Sequence, residues 1–177
     1  MEGHYVDGRK NGIWTWWFDS GIKQSEGHYV DDEQDGLWSY FSKDGSVAEE
    51  ITFSGGKRDG RSTVWLTSEE KQEEKFYKNG KLDGPSTFWE NGYRSTMTTY
   101  KSDSPEGPWV IWFSNSDQIK EQGFHQKGIR EGLTTYYYED GTMQREGFFK
   151  EGLPDGMWTY WNKEGEKDFD FDFGLSL

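Results

Sequence analysis

Hydrophobic positions along this chain gather in short aromatic runs, and a glycine opens each run. Examples are GIWTWW from Gly12, GLWSYF from Gly36 and GMWTYW from Gly156. The opening glycines follow one another at steps of 24, 24, 24, 23, 25 and 24 residues, and they are Gly12, Gly36, Gly60, Gly84, Gly107, Gly132 and Gly156. A period of about 20–50 residues is typical of an array of small supersecondary units. The pattern therefore predicts about seven copies of one 24-residue unit.

Each unit predicts two strands joined by a tight turn. The run after the glycine is rich in Thr, Trp, Tyr and Phe, which favour pleated backbone. Turns such as DSG at 19–21 and EDG at 139–141 supply the positive φ of a hairpin. A second strand follows, as in EGHY at 26–29, and two fixed glycines per unit disfavour helix. We therefore expect an all-β, elongated, single-layer antiparallel meander, forming one domain over residues 1–177.

The last segment differs from the repeats. In residues 166–174, Asp168, Asp170 and Asp172 alternate with phenylalanines. On a strand the carboxylates would share one face and the rings the other. The spacing does not fit a calcium loop, because no glycine or glutamate stands where such a loop needs one. This segment predicts a capping strand whose charges protect the open sheet edge.

The composition limits the classes of partner and the cellular compartment that we expect. Hydrophobic residues make up 31% of the chain and aromatic residues 18%, so the core must be built from rings. The net charge of −13 disfavours nucleic acid and anionic membranes and favours a basic protein, although it also serves solubility. There is no cysteine, no apolar stretch of about 20 residues and no signal-like N-terminus, so we expect a cytoplasmic protein.

The sequence carries no catalytic or cofactor-binding constellation. The histidines are His4, His28 and His125, and the first two occupy the same repeat position. No Ser/His/Asp set has the arrangement of a hydrolase, and no glycine-rich loop carries a phosphate-binding lysine. We therefore predict a non-enzymatic protein that uses no metal or cofactor.

Positions counted from the opening glycine divide into two faces. Positions +3 and +5 hold a small residue and a ring in every unit, which indicates a structural ladder. Position +2 varies, because Ser62, Ser86 and Thr134 interrupt a series of tryptophans. The small residues suggest a shallow concavity. Trp and Tyr often anchor interfaces, so the predicted partner-binding residues on this face are Trp14, Trp38, Trp109, Trp158 and Tyr40. The alternative is that these rings pack against loops or one another.

Two acidic turns complete the predicted binding surface, with solvated loops as the alternative. They comprise Asp31, Asp32, Glu33 and Asp35 in one turn and Glu69, Glu70, Glu73 and Glu74 in the other.

The repeat resembles a known motif. In EGFFKEGLPDGMWTYW, at 146–161, Gly147, Phe149, Gly152 and Gly156 match the G, W, G and G of the MORN repeat. The spacing near 24 is similar to the bacterial MORN-variant group, often labelled YwqK-like antitoxins. The resemblance implies an immunity protein, or antitoxin, that covers the active site of a basic toxin domain. A structural scaffold is the alternative, and the negative charge argues against a lipid-head-group binder.

Overall fold

The computed structural model describes residues 1–174, which form sixteen β-strands and no helix. The strands are β1 (Glu2–Val6), β2 (Arg9–Trp17), β3 (Lys23–Val30), β4 (Glu33–Phe41), β5 (Val47–Ser54), β6 (Lys57–Trp65), β7 (Lys71–Lys78), β8 (Lys81–Glu90), β9 (Tyr93–Lys101), β10 (Ser104–Trp112), β11 (Ile119–Gln126), β12 (Ile129–Arg130), β13 (Gly132–Tyr137), β14 (Met143–Lys150), β15 (Leu153–Trp161) and β16 (Lys167–Asp172). They follow one another in chain order in an open antiparallel sheet, except that β12 pairs only with β11. The predicted all-β hairpin meander is confirmed.

Contacts divide the chain into two compact units, Met1–Gly84 and Pro85–Leu177. The expectation of one domain over residues 1–177 stays a prediction. Within residues 1–174, no helix is long and apolar enough to cross a bilayer. The same part of the chain gathers no His, Asp and Glu group that would hold a metal ion.

The opening glycines are bulge residues. On β3 the partner changes from Trp38 at Gly27 to Asp35 at His28, so that Gly36 and its neighbour form a bulge in β4. Gly36 has a φ of 76°, and the other six opening glycines also have positive φ, between 62° and 129°. Side chains rarely adopt this conformation. The 24-residue glycine period therefore records a backbone bend repeated in every hairpin.

A second repeated device ties each turn to the hairpin before it. The side chain just before an opening glycine accepts a hydrogen bond from a backbone N–H in the next turn. These bonds join Asn11 Oδ1 to Asp31 N at 3.2 Å, Asp59 Oδ2 to Asn79 N at 2.9 Å, Glu106 Oε2 to Lys127 N at 2.7 Å and Glu131 Oε2 to Glu151 N at 2.9 Å. Part of the negative charge thus has a structural role.

The last strand lies against the final hairpin through its rings. Phe169 stacks on Tyr160 with ring centres 4.5 Å apart, and Phe173 meets Trp158 edge-on at 5.7 Å. On the other face, Asp170 accepts a hydrogen bond from the Thr159 hydroxyl at 2.9 Å. The rings therefore cover the end of the aromatic core while the carboxylate faces away from it.

Candidate partner-binding faces

Successive side chains of a strand point to opposite faces of the sheet, so each unit has two faces. We call one the tryptophan face, after its +2 residues Trp14, Trp38, Trp109 and Trp158. We call the other the acidic face, and its carboxylates are Glu26, Glu50, Glu74, Glu146 and Asp170.

The four tryptophans are core residues, each only 2–3% exposed. Almost none of their surface is accessible to a partner, and a role for them in partner binding stays a prediction. A glycine on the preceding strand explains the burial of three of them. A Cβ built on Gly27 would lie 2.2 Å from Trp38 Cδ2, and the glycines beside Trp14 and Trp158 are equally close. Each indole thus lies flat on backbone that has no side chain.

The indole N–H groups fix this arrangement. Trp38 Nε1 donates to the His28 carbonyl at 3.1 Å, and Trp14 and Trp158 make the same bond at 3.2 Å with the carbonyls of His4 and Phe148. Trp109 differs because Thr98, not glycine, faces it on the preceding strand.

Trp109 instead lies over Gly123 on the following strand, and its buried Nε1 has no hydrogen-bond partner within residues 1–174. The Arg130 guanidinium covers its ring at 4.4 Å.

The small residues at +2 are buried rather than exposed. Ser62, Ser86 and Thr134 are 4%, 2% and 0% exposed, respectively. Ser62 stands directly opposite Ile51, which replaces the glycine and is itself buried. At Gly27 and Trp38 the small residue is on the earlier strand and the large residue is on the later one. At Ile51 and Ser62 the large residue is on the earlier strand instead. At Ser62, the small residue at +2 is therefore matched by a larger residue on the neighbouring strand.

Tyr40 is the one predicted ring that is half-buried rather than buried. It lies beside Trp38, with ring centres 6.2 Å apart, and its hydroxyl is 3.4 Å from Gln34 Nε2. A role for Tyr40 in partner binding stays a prediction.

In the first acidic turn, two of the carboxylates are engaged within the chain. Asp31 and Asp32 both have positive φ. Asp32 Oδ1 accepts from the backbone N–H of Lys10 at 2.8 Å, and Asp31 Oδ1 accepts from the Asn11 side chain at 3.4 Å. Glu33 is exposed at the start of β4, and Asp35 is half-buried.

The second acidic turn is not a cluster in space. Glu69 and Glu70 lie in the turn itself, where their backbone N–H groups donate to Thr67 Oγ1. Glu73 and Glu74 are neighbours on β7 and so point to opposite faces. Glu73 pairs with Lys75 at 2.7 Å and Glu74 pairs with Lys71 at 2.7 Å.

The acidic face instead carries carboxylates that are in register across the strands. In the first unit, consecutive cross-strand partners read Thr15, Glu26, Ser39, Glu50, Thr63 and Glu74. In the second unit they read Val110, Gln122, Thr135, Glu146, Thr159 and Asp170. Acids on alternate strands are about 9–10 Å apart. This row was missed from the sequence, although its members recur at the 24-residue period.

Three of these carboxylates have a lysine three residues earlier. Glu26 pairs with Lys23 at 2.6 Å, Asp170 with Lys167 at 2.6 Å, and Glu74 with Lys71. The hydrogen bond from Lys23 lowers the pKa of Glu26, and that from Lys167 lowers the pKa of Asp170.

Glu50 and Glu146 follow Val47 and Met143 in the same positions. Neither has an ion-pair partner among the described residues. Their negative charge is therefore unbalanced on the acidic face.

The repeat geometry agrees with the comparison to known families. Residues 10–31, 34–54 and 130–151 match the profile of the MORN repeat variant. These three segments are MORN-variant repeats. No curated protein matches the chain. MORN repeats are typical of protein-interaction modules, and the repeat type is generally non-enzymatic.

The MORN-variant chain also exposes apolar side chains on its acidic face. Ile13 is 66% and Phe148 55% exposed. A groove of about 370 Å³ is lined by Ile13, Glu26, His28, Leu37 and Ser39 in the first unit. A second, of about 480 Å³, is lined by Pro108, Val110, Gln122, Phe124, Leu133 and Thr135. Apolar residues and carboxylates thus lie side by side on the acidic face.

Proposed function

We propose that this MORN-variant protein is an immunity protein, or antitoxin, that binds a basic bacterial toxin domain in the cytoplasm and covers its active site. The observation that carries the proposal is the row of carboxylates in register on the acidic face. The toxin's substrate-binding cations lie against this row, and inhibition is steric and electrostatic.

Glu50 and Glu146 are the strongest cation acceptors in the row. Binding at Glu26, Glu74 or Asp170 must displace a lysine of the protein itself, whereas binding at Glu50 or Glu146 displaces none. Complementary charges mainly accelerate association and select the partner. The exposed apolar side chains beside the row supply the area that is removed from water.

The test begins with the product of a neighbouring gene that encodes a basic toxin domain. The two proteins are co-expressed, and growth rescue and calorimetric affinity are measured. We expect one tight complex and rescue. The double variant E50Q/E146Q should associate about tenfold more slowly at low salt. The control E139Q/E164Q removes two exposed turn carboxylates and should associate like the parent protein.

Failure to bind or neutralise any such product refutes the immunity role. Equal effects of the two double variants refute the assignment to the acidic face.

A second candidate function, a structural scaffold, is favoured by the open sheet edge. All five residues of β1 are exposed, and an unpaired edge strand is a template for pairing with another chain. A scaffold would self-associate, which sedimentation of the purified protein at increasing concentration measures. A monomer at all concentrations argues against this candidate.

A further inference from the structure

The tryptophan face of the second unit holds an arginine over a pair of neighbouring rings. On adjacent strands, Tyr136, Arg145 and Tyr160 are consecutive cross-strand partners. The Arg145 guanidinium lies over Tyr136, 4.1 Å from the ring centre, and 6.0 Å from the buried Trp158 ring. Stacking of a guanidinium on aromatic faces is favourable, particularly where water is excluded.

The first unit repeats this site without the arginine. Trp16, Ser25 and Tyr40 are consecutive partners in the same register, so Ser25 stands where the second unit has Arg145. Trp38 occupies the place of Trp158, since both follow their opening glycine by two residues and lie on a glycine of the preceding strand. The aromatic pair is therefore kept, with ring centres 5.6 Å apart for Trp16 and Trp38 and 6.1 Å apart for Tyr136 and Trp158, and only the cation over it is missing.

A groove lies at this position. It measures about 350 Å³, and its lining includes Trp16, Ser25, Tyr29, Gln34, Trp38 and Tyr40. Tyr29 meets Trp38 edge-on, with ring centres 5.0 Å apart. Five of these six residues carry a hydroxyl or an aromatic ring, and none of the six is charged.

A neighbouring cation does not prevent occupancy. Lys10 Nζ lies 5.5 Å from the Trp16 ring and 5.0 Å from the Tyr29 ring. The second unit has the same neighbour, because Arg130 precedes its opening glycine by two residues, as Lys10 does, and lies 5.6 Å from Phe149. Arg145 is held there despite this charge.

We propose that the groove over Ser25 binds the guanidinium group of an arginine on an extended segment of a partner protein. Arg145 in the second unit shows how the group is held, and the net charge of −13 favours a cationic occupant. The groove and the acidic face lie on opposite sides of the sheet, so this site is independent of the proposed immunity role.

The test uses N-acetyl-arginine amide as the probe and indole N–H signals in NMR spectra of the full chain. We expect the signals of Trp16 and Trp38 to shift on titration, with those of Trp158 unchanged as an internal reference. N-acetyl-citrulline amide, which has the same shape without the charge, should bind about tenfold more weakly.

Ser25→Arg supplies the missing side chain and should weaken probe binding at least about tenfold. Ser25→Ala is the matched control and should bind as the parent does. Because Ser25→Arg reproduces an arrangement already present at Arg145, this variant should fold, and its indole N–H signals should remain dispersed as in the parent protein.

Equal shifts with the citrulline probe, or unchanged arginine binding in Ser25→Arg, overturn the assignment. Toxin neutralisation tests the acidic face, whereas the arginine titration tests the groove over Ser25. The immunity proposal and the arginine-site proposal can therefore fail independently.

Discussion

Replacing Gly27 with alanine tests the packing that organises the tryptophan face. The new Cβ would lie 2.2 Å from Trp38 Cδ2, whereas carbon atoms in contact are about 3.5–4.0 Å apart. The indole must therefore move by more than about 1 Å. It then loses the bond of 3.1 Å from its Nε1 to the His28 carbonyl.

The expected cost follows from three terms. Overpacking a core costs about 1–3 kcal/mol, and loss of the indole hydrogen bond adds about 0.5–1.5 kcal/mol. The reduced freedom of the unfolded chain offsets about 0.4–1 kcal/mol. We expect Gly27→Ala to lower the free energy of unfolding by about 2 kcal/mol.

The assay is urea unfolding of the full chain, followed by tryptophan fluorescence, with hydrogen exchange of β3 and β4 to locate the loss. Ser25→Ala, on the same strand and face, is the control and should change stability by about 0.5 kcal/mol or less. Trp38→Ser removes the ring and should itself cost about 3–5 kcal/mol.

The combination of the two changes is the decisive measurement. In the Trp38→Ser background, Gly27→Ala should be neutral or stabilising, because the chain already places Ile51 opposite Ser62. The coupling between the two changes is then about 2 kcal/mol. Additive effects, or a Gly27→Ala cost no larger than that of Ser25→Ala, would refute the packing argument.

Three further predictions concern the turns, the bulges and pH. Asp59→Ala should cost about 1 kcal/mol in urea unfolding, because it removes the acceptor of the Asn79 N–H, whereas Asp59→Asn keeps an acceptor and should cost less. Gly36→Ala should cost about 1–2 kcal/mol although its Cβ meets open space, because its φ is 76°; Gly36→Asn, which tolerates this φ better, should lose less in the same assay. Burial, and then the charge of Arg130, lower the pKa of His125. As pH falls, His125 is protonated in the unfolded chain before it is protonated in the folded one. The free energy of unfolding should therefore decrease as pH drops below about 6.5. His125→Phe should reduce this pH dependence in urea unfolding measured between about pH 7 and 5.

The strands and turns were predictable because they depend on local signals. Turn glycines and aromatic runs recur at a fixed period, and each strand pairs with its neighbour in sequence. The role of the opening glycines as bulges was not predicted, since a bulge depends on the register between two strands. The acidic row could have been predicted from the same repeat, because Glu26, Glu50 and Glu74 recur at 24-residue steps.

Burial of the tryptophans could not be read from their own strand. Both faces of the predicted sheet carry aromatic rings, so alternation alone does not say which face is packed. The decisive partner of Trp38 is Gly27, eleven residues earlier and opposite only in the correct register. Clustering of acids in sequence was misleading for a related reason, because Glu73 and Glu74 point to opposite faces.

The packing of the tryptophan face has a consequence for binding at the acidic face. The indoles that lie on glycine backbone belong to the buried core and are on the face opposite the carboxylates. Glu50 and Glu146 contact no cation of the described chain, and their neutralisation removes no ion pair. The proposed partner selection by Glu50 and Glu146 is therefore separable from the packing of the indoles. Changes in charge at Glu50 and Glu146 should therefore alter association without altering the unfolding transition.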